Sequence, residues 1–324
     1  MKERILVTGG LGMVGAFVCR ALVASGRRPV VYDLGTSTAR LKDVAGECDF
    51  VQGNVADLPT LMGAVREHKP AAILHFGAQV GPEVELNPWG SLNANLMGTT
   101  TVFECARLTG IERVIFPSSK MTYGPIGEKH RHPHYEPVPE DHPLAPLKLY
   151  GKIKRACEDV ADHYARRYGL DIMALRFGSA FAPGKFGRHG KVSPVMGLIE
   201  AAIAGRPMRI ERGADQCDDL CYSGESANGT IAALDSPARP GSFRVYNIAS
   251  GELISLARMI SILQELFPGW HGEAGPGLDY RDMGTEYYFL MSTQKAAAEI
   301  GFVPRFDFRK AALDYKETLA RLAR

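Results

Sequence analysis

Excess charge of either sign is missing from this sequence. Thirty-eight Lys and Arg against 36 Asp and Glu leave +2 over 324 residues. There is no global field to draw in nucleic acid or an anionic membrane. CxxC pairs are missing too. The six cysteines stand at 19, 48, 105, 157, 217 and 221. That scatter argues against a zinc site or a disulfide framework and for the reduced thiols of a cytoplasmic protein. No uncharged apolar stretch of about 18 residues, enough to cross a bilayer, occurs. Internal repeats and low-complexity segments are also lacking. What remains is ordinary globular composition, 45% hydrophobic and 23% charged, in a chain long enough for one large domain or two smaller ones.

The N-terminus needs a decision. A charged start followed by an uncharged run over residues 5–19 has the outline of a signal peptide. Four glycines, at 9, 10, 12 and 15, make that run a poor apolar segment and a good phosphate loop.

Apolar patterning is strongest in the first two-thirds. Short continuous runs at 4–8, 29–33, 49–53, 71–76, 113–118 and 171–177 read as buried strands. Amphipathic stretches at 13–25, 58–68, 93–109 and 147–168 read as helices between them. Such alternation predicts an α/β fold with a parallel sheet covered on both faces. From about residue 182 the rhythm is broken by Pro, Gly and charges. Helices are expected at 193–204, 255–266, 293–300 and 309–322, with a strand at 243–248. This stretch is read as a smaller substrate-side lobe, partly interleaved with the first. The division expected is 1–181 for the dinucleotide domain and 182–324 mainly for the lobe.

The sequence TGGLGMVG at 8–15 follows a strand and opens a helix. Gly9, Gly12 and Gly15 permit a tight turn and close approach of a pyrophosphate. Met13 and Val14 begin a helix whose free N–H groups face the phosphates. Asp33 ends the second strand, 18 residues after Gly15. A carboxylate there accepts from a ribose 2′-OH and repels a 2′-phosphate, which favours NAD over NADP. Asn54 and Val55 close the third strand and border the adenine. Phe76, Gly77, Ala78 and Gln79 close the fourth, where a cofactor passes close to the backbone.

Tyr150 and Lys154 share one face of a predicted helix at i,i+4 spacing. An ammonium beside a phenol favours the phenolate and lowers its pKa. Tyr150 can then exchange a proton with a secondary alcohol while hydride leaves the same carbon. Ser119, at the end of an earlier strand, can hydrogen-bond the reacting oxygen.

With these motifs in order, the chain resembles the extended short-chain dehydrogenases/reductases of the NAD-dependent epimerase/dehydratase group. TGGLGMVG, Asp33, Asn95 with Gly98 and Thr99, SSKMTYG at 118–124, YGKIK at 150–154 and LRFGSAFAPG at 175–184 carry the resemblance. It implies a Rossmann-type doubly wound sheet, NAD as cofactor, Tyr150 as acid/base, Lys154 as its partner and Ser119 as the catalytic hydroxyl. A cofactor site that also takes in Asn95, Ser118 and Phe177 is implied as well. The helices at 93–109 and 147–168 resemble those that pair into a four-helix dimer interface, which implies a homodimer.

Three departures bear on the substrate. Ser179 stands where the family usually has Asn. Asp218-Asp219 replaces Arg-Asp. Lys120 stands where the family's 4,6-dehydratases carry an acid, which argues against a dehydratase. Lys120, His130, His132, His134, Lys185, Arg188, His189 and Arg281 could line a cationic pocket for a carboxylate or phosphate. Lys120, Ser179 and Arg281 are the residues assigned to the substrate. The His130, His132, His134 spacing invites a metal, but hydride transfer needs none, and no metal is expected. The functions expected are an epimerase of a sugar or nucleotide sugar, or a dehydrogenase of a sugar acid, polyol or other small hydroxy compound. A non-catalytic dinucleotide-sensing scaffold is the reading from another class.

Overall fold

The computed structural model describes residues 2–183 and 194–323. The alternation read from the sequence is present: β1 (Arg4–Thr8), α1 (Met13–Ala24), β2 (Arg28–Asp33), β3 (Asp49–Gln52), α2 (Leu58–His68) and β4 (Ala72–His75). Two short turns of helix, α3 (Glu83–Leu86) and α4 (Pro88–Ser91), precede α5 (Gly98–Thr109). Then come β5 (Arg113–Ser119), α6 (Leu149–Tyr168), β6 (Asp171–Phe177) and β7 (Ser179–Phe181). After the undescribed stretch come α7 (Pro194–Ile203), β8 (Met208–Ile210), β9 (Cys217–Tyr222), α8 (Ser223–Asp235), β10 (Phe243–Ile248) and β11 (Leu253–Ser255). The chain ends with α9 (Leu256–Leu266), β12 (Gly272–Ala274), α10 (Gln294–Ile300) and α11 (Phe308–Ala323).

Seven strands form one parallel sheet in the order β10-β6-β5-β4-β1-β2-β3. Its central strands are mostly apolar because both faces are covered. Residues of α1, α8 and α10 fill one face, among them Val18, Leu22, Ala233 and Ile300. Residues of α2, α5 and α6 fill the other, among them Leu61, Phe103, Ile153 and Cys157. Strand order reverses between β1 and β4. Both connections there leave their carboxyl ends on the same edge, which opens the crevice where ligands bind in such sheets.

The lobe has its own core of α7, α9 and α11 side chains with Tyr222, Trp270, Tyr280 and Tyr288. Its small strands were not expected. Cys217–Tyr222 carries two acids, which disguise a strand that is buried almost throughout. Helix α8 was also missed, because SGESANGTIAALD has few large apolar residues. It is buried by small ones: Ser226, Ala227, Gly229 and Ala233 face the sheet. Both α8 and β10 return from the second stretch of the chain to complete the first sheet.

One expected helix differs in form. The segment Leu92–Met97 winds as a wider π turn before α5 begins. Hydroxyls occupy carbonyls there: Thr99 Oγ1 donates to Asn95 O at 2.6 Å and Thr100 Oγ1 to Leu96 O at 2.9 Å. Such back-bonding disturbs the regular ladder.

Candidate functional site

The glycine turn after β1 is built for close approach. Gly9 has φ +67°, and a Cβ on Gly15 would stand 2.2 Å from Gly9 O. The first turn of α1 holds no acid, and Gly12 supplies no side-chain cap, so its N–H groups remain available to an anion. Asp33 is drawn into the same turn. Its Oδ2 accepts from Leu11 N at 3.0 Å and its Oδ1 from Gly35 N at 2.9 Å. A carboxylate held by two backbone N–H groups is rigid and keeps lone pairs for a ribose hydroxyl. These residues therefore fit a dinucleotide.

The β4 end is fastened to this turn by a buried histidine that sequence reasoning missed. His75 Nδ1 meets Thr8 Oγ1 at 2.6 Å and Nε2 meets Thr99 Oγ1 at 3.0 Å. Burial, with Lys154 nearby, lowers its pKa to about 3, so the ring is neutral. Thr8 Oγ1 also accepts from Gly77 N at 3.2 Å. The only signal in the sequence was a polar residue inside an apolar strand. Asn95 completes the clamp: its side chain bonds Gln79 N at 2.7 Å and Gln79 O at 2.9 Å. The Gln79 side chain is engaged by Ser91, and Val55 packs where a Cβ on Gly77 or Gly98 would fall. Asn54 is exposed at the β3 end, with Oδ1 on Ala56 N.

Tyr150, Ser119 and Lys154 come together. The Ser119 side chain lies close enough to the Tyr150 phenol to favour its ionised form. Lys154 is buried and donates to Pro117 O at 2.7 Å, with its ammonium 5.8 Å from the Tyr150 ring centre. Two contacts bring the start of α6 against the end of β5. Glu85 accepts from Leu149 N at 2.9 Å, and a Cβ on Gly151 would lie 2.4 Å from Met121 O. Two turns further on, Glu158 binds Arg176 Nη2 at 2.6 Å and takes the Ser118 hydroxyl at 2.5 Å. The Ser118 side chain, expected at the cofactor, thus faces this buried pair.

The expected lowering of the phenol pKa is not found in the protein alone. Burial pushes Tyr150 above its ordinary value, Cys157 adds to this, and the Ser119 side chain opposes it. Lys154 is itself lowered by burial. Its ammonium is aimed at a carbonyl, so desolvation outweighs the help read from i,i+4 spacing.

Of the eight basic residues expected to line one pocket, Lys120 and Arg281 are the two that meet among the described residues. Lys185, Arg188 and His189 lie outside the described residues. His132 and His134 are exposed, while His130 is buried with Nδ1 on Glu136 O at 2.8 Å. The loop they occupy is a strap: Tyr135 Oη accepts from Gln216 Nε2 at 2.7 Å, and Val138 pairs with Leu290 and Ser292. No cluster of three metal-ligating side chains occurs among the described residues. Lys120 and Arg281 do meet, on Asp218. Lys120 also donates to Ser179 Oγ at 3.1 Å. Beside them, burial raises the Asp219 carboxyl to about 7, where it accepts from Met291 N and Ser250 Oγ. Phe177, opposite Ser119 in the β5–β6 register, stacks on Phe76 with ring centres 6.5 Å apart.

A sequence model of the NAD dependent epimerase/dehydratase family matches residues 5–249. The chain belongs to this family. As a member of the NAD dependent epimerase/dehydratase family it uses NAD, in keeping with the Asp33 and glycine-turn geometry above. It is 27% identical over 326 residues to UDP-glucose 4-epimerase of Rhizobium meliloti, covering 94% of each chain. Among solved structures it is similar to UDP-glucose 4-epimerase of Thermus thermophilus in complex with NAD, at TM-score 0.79 and 25% identity over 98% of this chain and 99% of that one. A partial consensus L-threonine 3-dehydrogenase is alike in fold, at TM-score 0.81 and 22% identity over 98% of this chain and 99% of that one. No helix among the described residues is long and apolar enough to cross a membrane.

Proposed function

We infer that the protein is an NAD-dependent epimerase that moves hydride reversibly at a secondary alcohol carbon of a sugar-like substrate. The observation that carries this is the meeting of Tyr150, Ser119 and Lys154 at the sheet edge that also holds the glycine turn and Asp33. The UDP-glucose 4-epimerase relatives support the same reaction type.

Bound NAD supplies a hydride acceptor, and in an epimerase the hydride returns to the opposite face of the same carbon. The chain does the rest. Ser119 donates a hydrogen bond to the reacting oxygen. Tyr150 takes the hydroxyl proton as the alcohol becomes a ketone and gives it back on reduction. Lys154, fixed by Pro117 O, would hold the nicotinamide ribose and favour the phenolate in the transition state. Gly9, Gly12, Met13, Val14 and Gly15 would hold the pyrophosphate of NAD, Asp33 a ribose, and Asn54 and Val55 the adenine side. Phe76, Gly77, Ala78, Gln79, Asn95 and Phe177 line the passage between them.

Dehydrogenation of a sugar acid, polyol or other small hydroxy compound is the second reading, favoured by the acid that occupies the substrate-side wall at Asp218. Incubation with excess NAD and a panel of nucleotide sugars, sugars and sugar acids separates the two. An isomeric product without net NADH supports epimerisation; stoichiometric NADH supports dehydrogenation. No turnover of any of these, with NAD bound, refutes both.

The working unit is a homodimer in a cytoplasmic setting. Trp89 and Leu86 are more than four-fifths exposed, and Met97, Leu108 and Leu147, on or beside α5 and α6, are exposed as well. An apolar patch of this kind on a second copy would cover it. Light scattering on the purified protein reads twice the 35.3 kDa chain mass if this holds. All six cysteines are free and five are buried, as suits a reducing compartment.

A further inference from the structure

The buried side chains of Thr8, His75, Thr99 and Asn95 form a hydrogen-bond chain whose direction the structure fixes. Thr99 Oγ1 donates its one hydrogen to Asn95 O at 2.6 Å. Toward His75 Nε2, 3.0 Å away, it can therefore only accept, so Nε2 carries the proton. The ring is neutral, which leaves Nδ1 bare. Thr8 Oγ1, 2.6 Å from Nδ1, must then donate to it, while accepting from Gly77 N at 3.2 Å. Each hydrogen has one place to go, and only the Nε2–H tautomer of His75 completes the sequence.

Both ends of the chain close on one short segment. Asn95, whose carbonyl ends it, holds Gln79 N and Gln79 O with its side chain at 2.7 and 2.9 Å. Thr8 holds Gly77 N at the other end. Ala78, between these two anchors, is exposed. The same segment abuts the glycine turn: a Cβ on Gly9 would stand 2.5 Å from Gly77 N and 2.6 Å from Phe76 O. With no room between them, a shift at residues 76–77 must move Gly9 as well. His75 itself is 3% exposed, so it can reach a ligand only through this segment.

We propose that His75 is a positioning residue for NAD: through Thr8 on one side and Thr99 with Asn95 on the other, it fixes residues 77–79 and the adjoining glycine turn where the cofactor is received. The inference rests on reading Gly77, Ala78 and Gln79 as part of the cofactor wall. A backbone already fixed loses little freedom when NAD arrives. Without the ring, the Thr8 hydroxyl hydrogen is buried with no acceptor, and it can turn away from Gly77 to find one. The two anchors are then no longer tied to each other, and the segment between them can settle in more than one position.

Titration calorimetry with NAD, at a temperature where each variant is folded, tests this. His75→Leu should weaken NAD binding about tenfold. Thr99→Val removes a hydroxyl from α5 and none from the glycine turn, and should weaken binding about threefold. The two together should do no more than His75→Leu alone, because both cut one chain. A merely structural role would lower the melting temperature and leave the affinity of the folded protein unmoved, which overturns the proposal; additive losses overturn it as well. Nitrogen-15 NMR of the native protein should show one imidazole that stays neutral where an ordinary histidine titrates, with Nε2 protonated and Nδ1 bare. The opposite tautomer breaks the chain and the proposal with it. Should His75→Leu or the double variant not fold, Thr99→Val and the ring signal decide. Unmoved variants refute the role of His75 and leave residues 77–79 as the cofactor wall; no NAD binding by the native protein refutes both.

Discussion

The two ends of the crevice use charge in opposite ways. At the dinucleotide end a single carboxylate, Asp33, is held by backbone N–H groups and stays half-exposed for a ligand. At the substrate end three charged side chains are buried against one another. The first arrangement is local: strand, glycine turn, helix and acid lie within 33 residues. The second brings together residues from 120 to 281. A local device can be read from spacing, whereas a distributed one needs the fold.

Between these ends lies the proposed reaction site, and the largest effect is expected there. Tyr150→Phe should lower turnover about 10²–10⁴-fold while NAD still binds. Steady-state rates and NAD titration measure both. Retained turnover would detach the chemistry from the crevice. Next is the support behind the site. Glu158→Ala leaves Arg176 buried without its partner and should destabilise the fold by about 3–5 kcal/mol. Denaturant unfolding reads this, and a change below about 1 kcal/mol would show that the pair is solvated.

A smaller change tests the dinucleotide end alone. Asp33→Ser should weaken NAD binding by about 1.5–3 kcal/mol and narrow the preference over NADP. The smallest effect, taken per pH unit, concerns acid stability. His75 has a folded pKa of about 3 against an ordinary 6.5. Below 6.5 the unfolded chain takes a proton that the folded protein refuses. The stability it contributes is thus present above 6.5 and lost as pH falls toward 3. His75→Gln should make acid destabilisation shallower by about 1.4 kcal/mol per pH unit in that window. Melting temperatures between pH 4 and 7 would show it.

Most of the first sheet was legible because its strands are continuous apolar runs between amphipathic helices. The chemical groups were legible too, since Tyr150 and Lys154 share a helix and Ser119 ends a strand. What spacing could not carry was environment. The same ammonium that ought to ease the phenol's ionisation is turned to Pro117 O, and burial prevails over it. The basic residues of the 124–146 loop were read as a group because they are close in sequence. In the fold Tyr135 and Val138 tie that loop down while His132 and His134 point to water. Helix α8 escaped notice because small residues bury it, and composition alone does not distinguish such a helix from a turn.

That helix and the strand after it have a further consequence. Because α8 and β10 re-enter the first sheet, a chain stopped at residue 181 would bare the whole flank of β6 from Ile172 to Phe177. An unpaired, largely apolar margin is a template for sticking to other chains. Any attempt to express the nucleotide-holding half by itself should yield inclusion bodies, and a circularly rearranged gene should succeed only if it keeps residues 223–248 joined to the rest of that sheet.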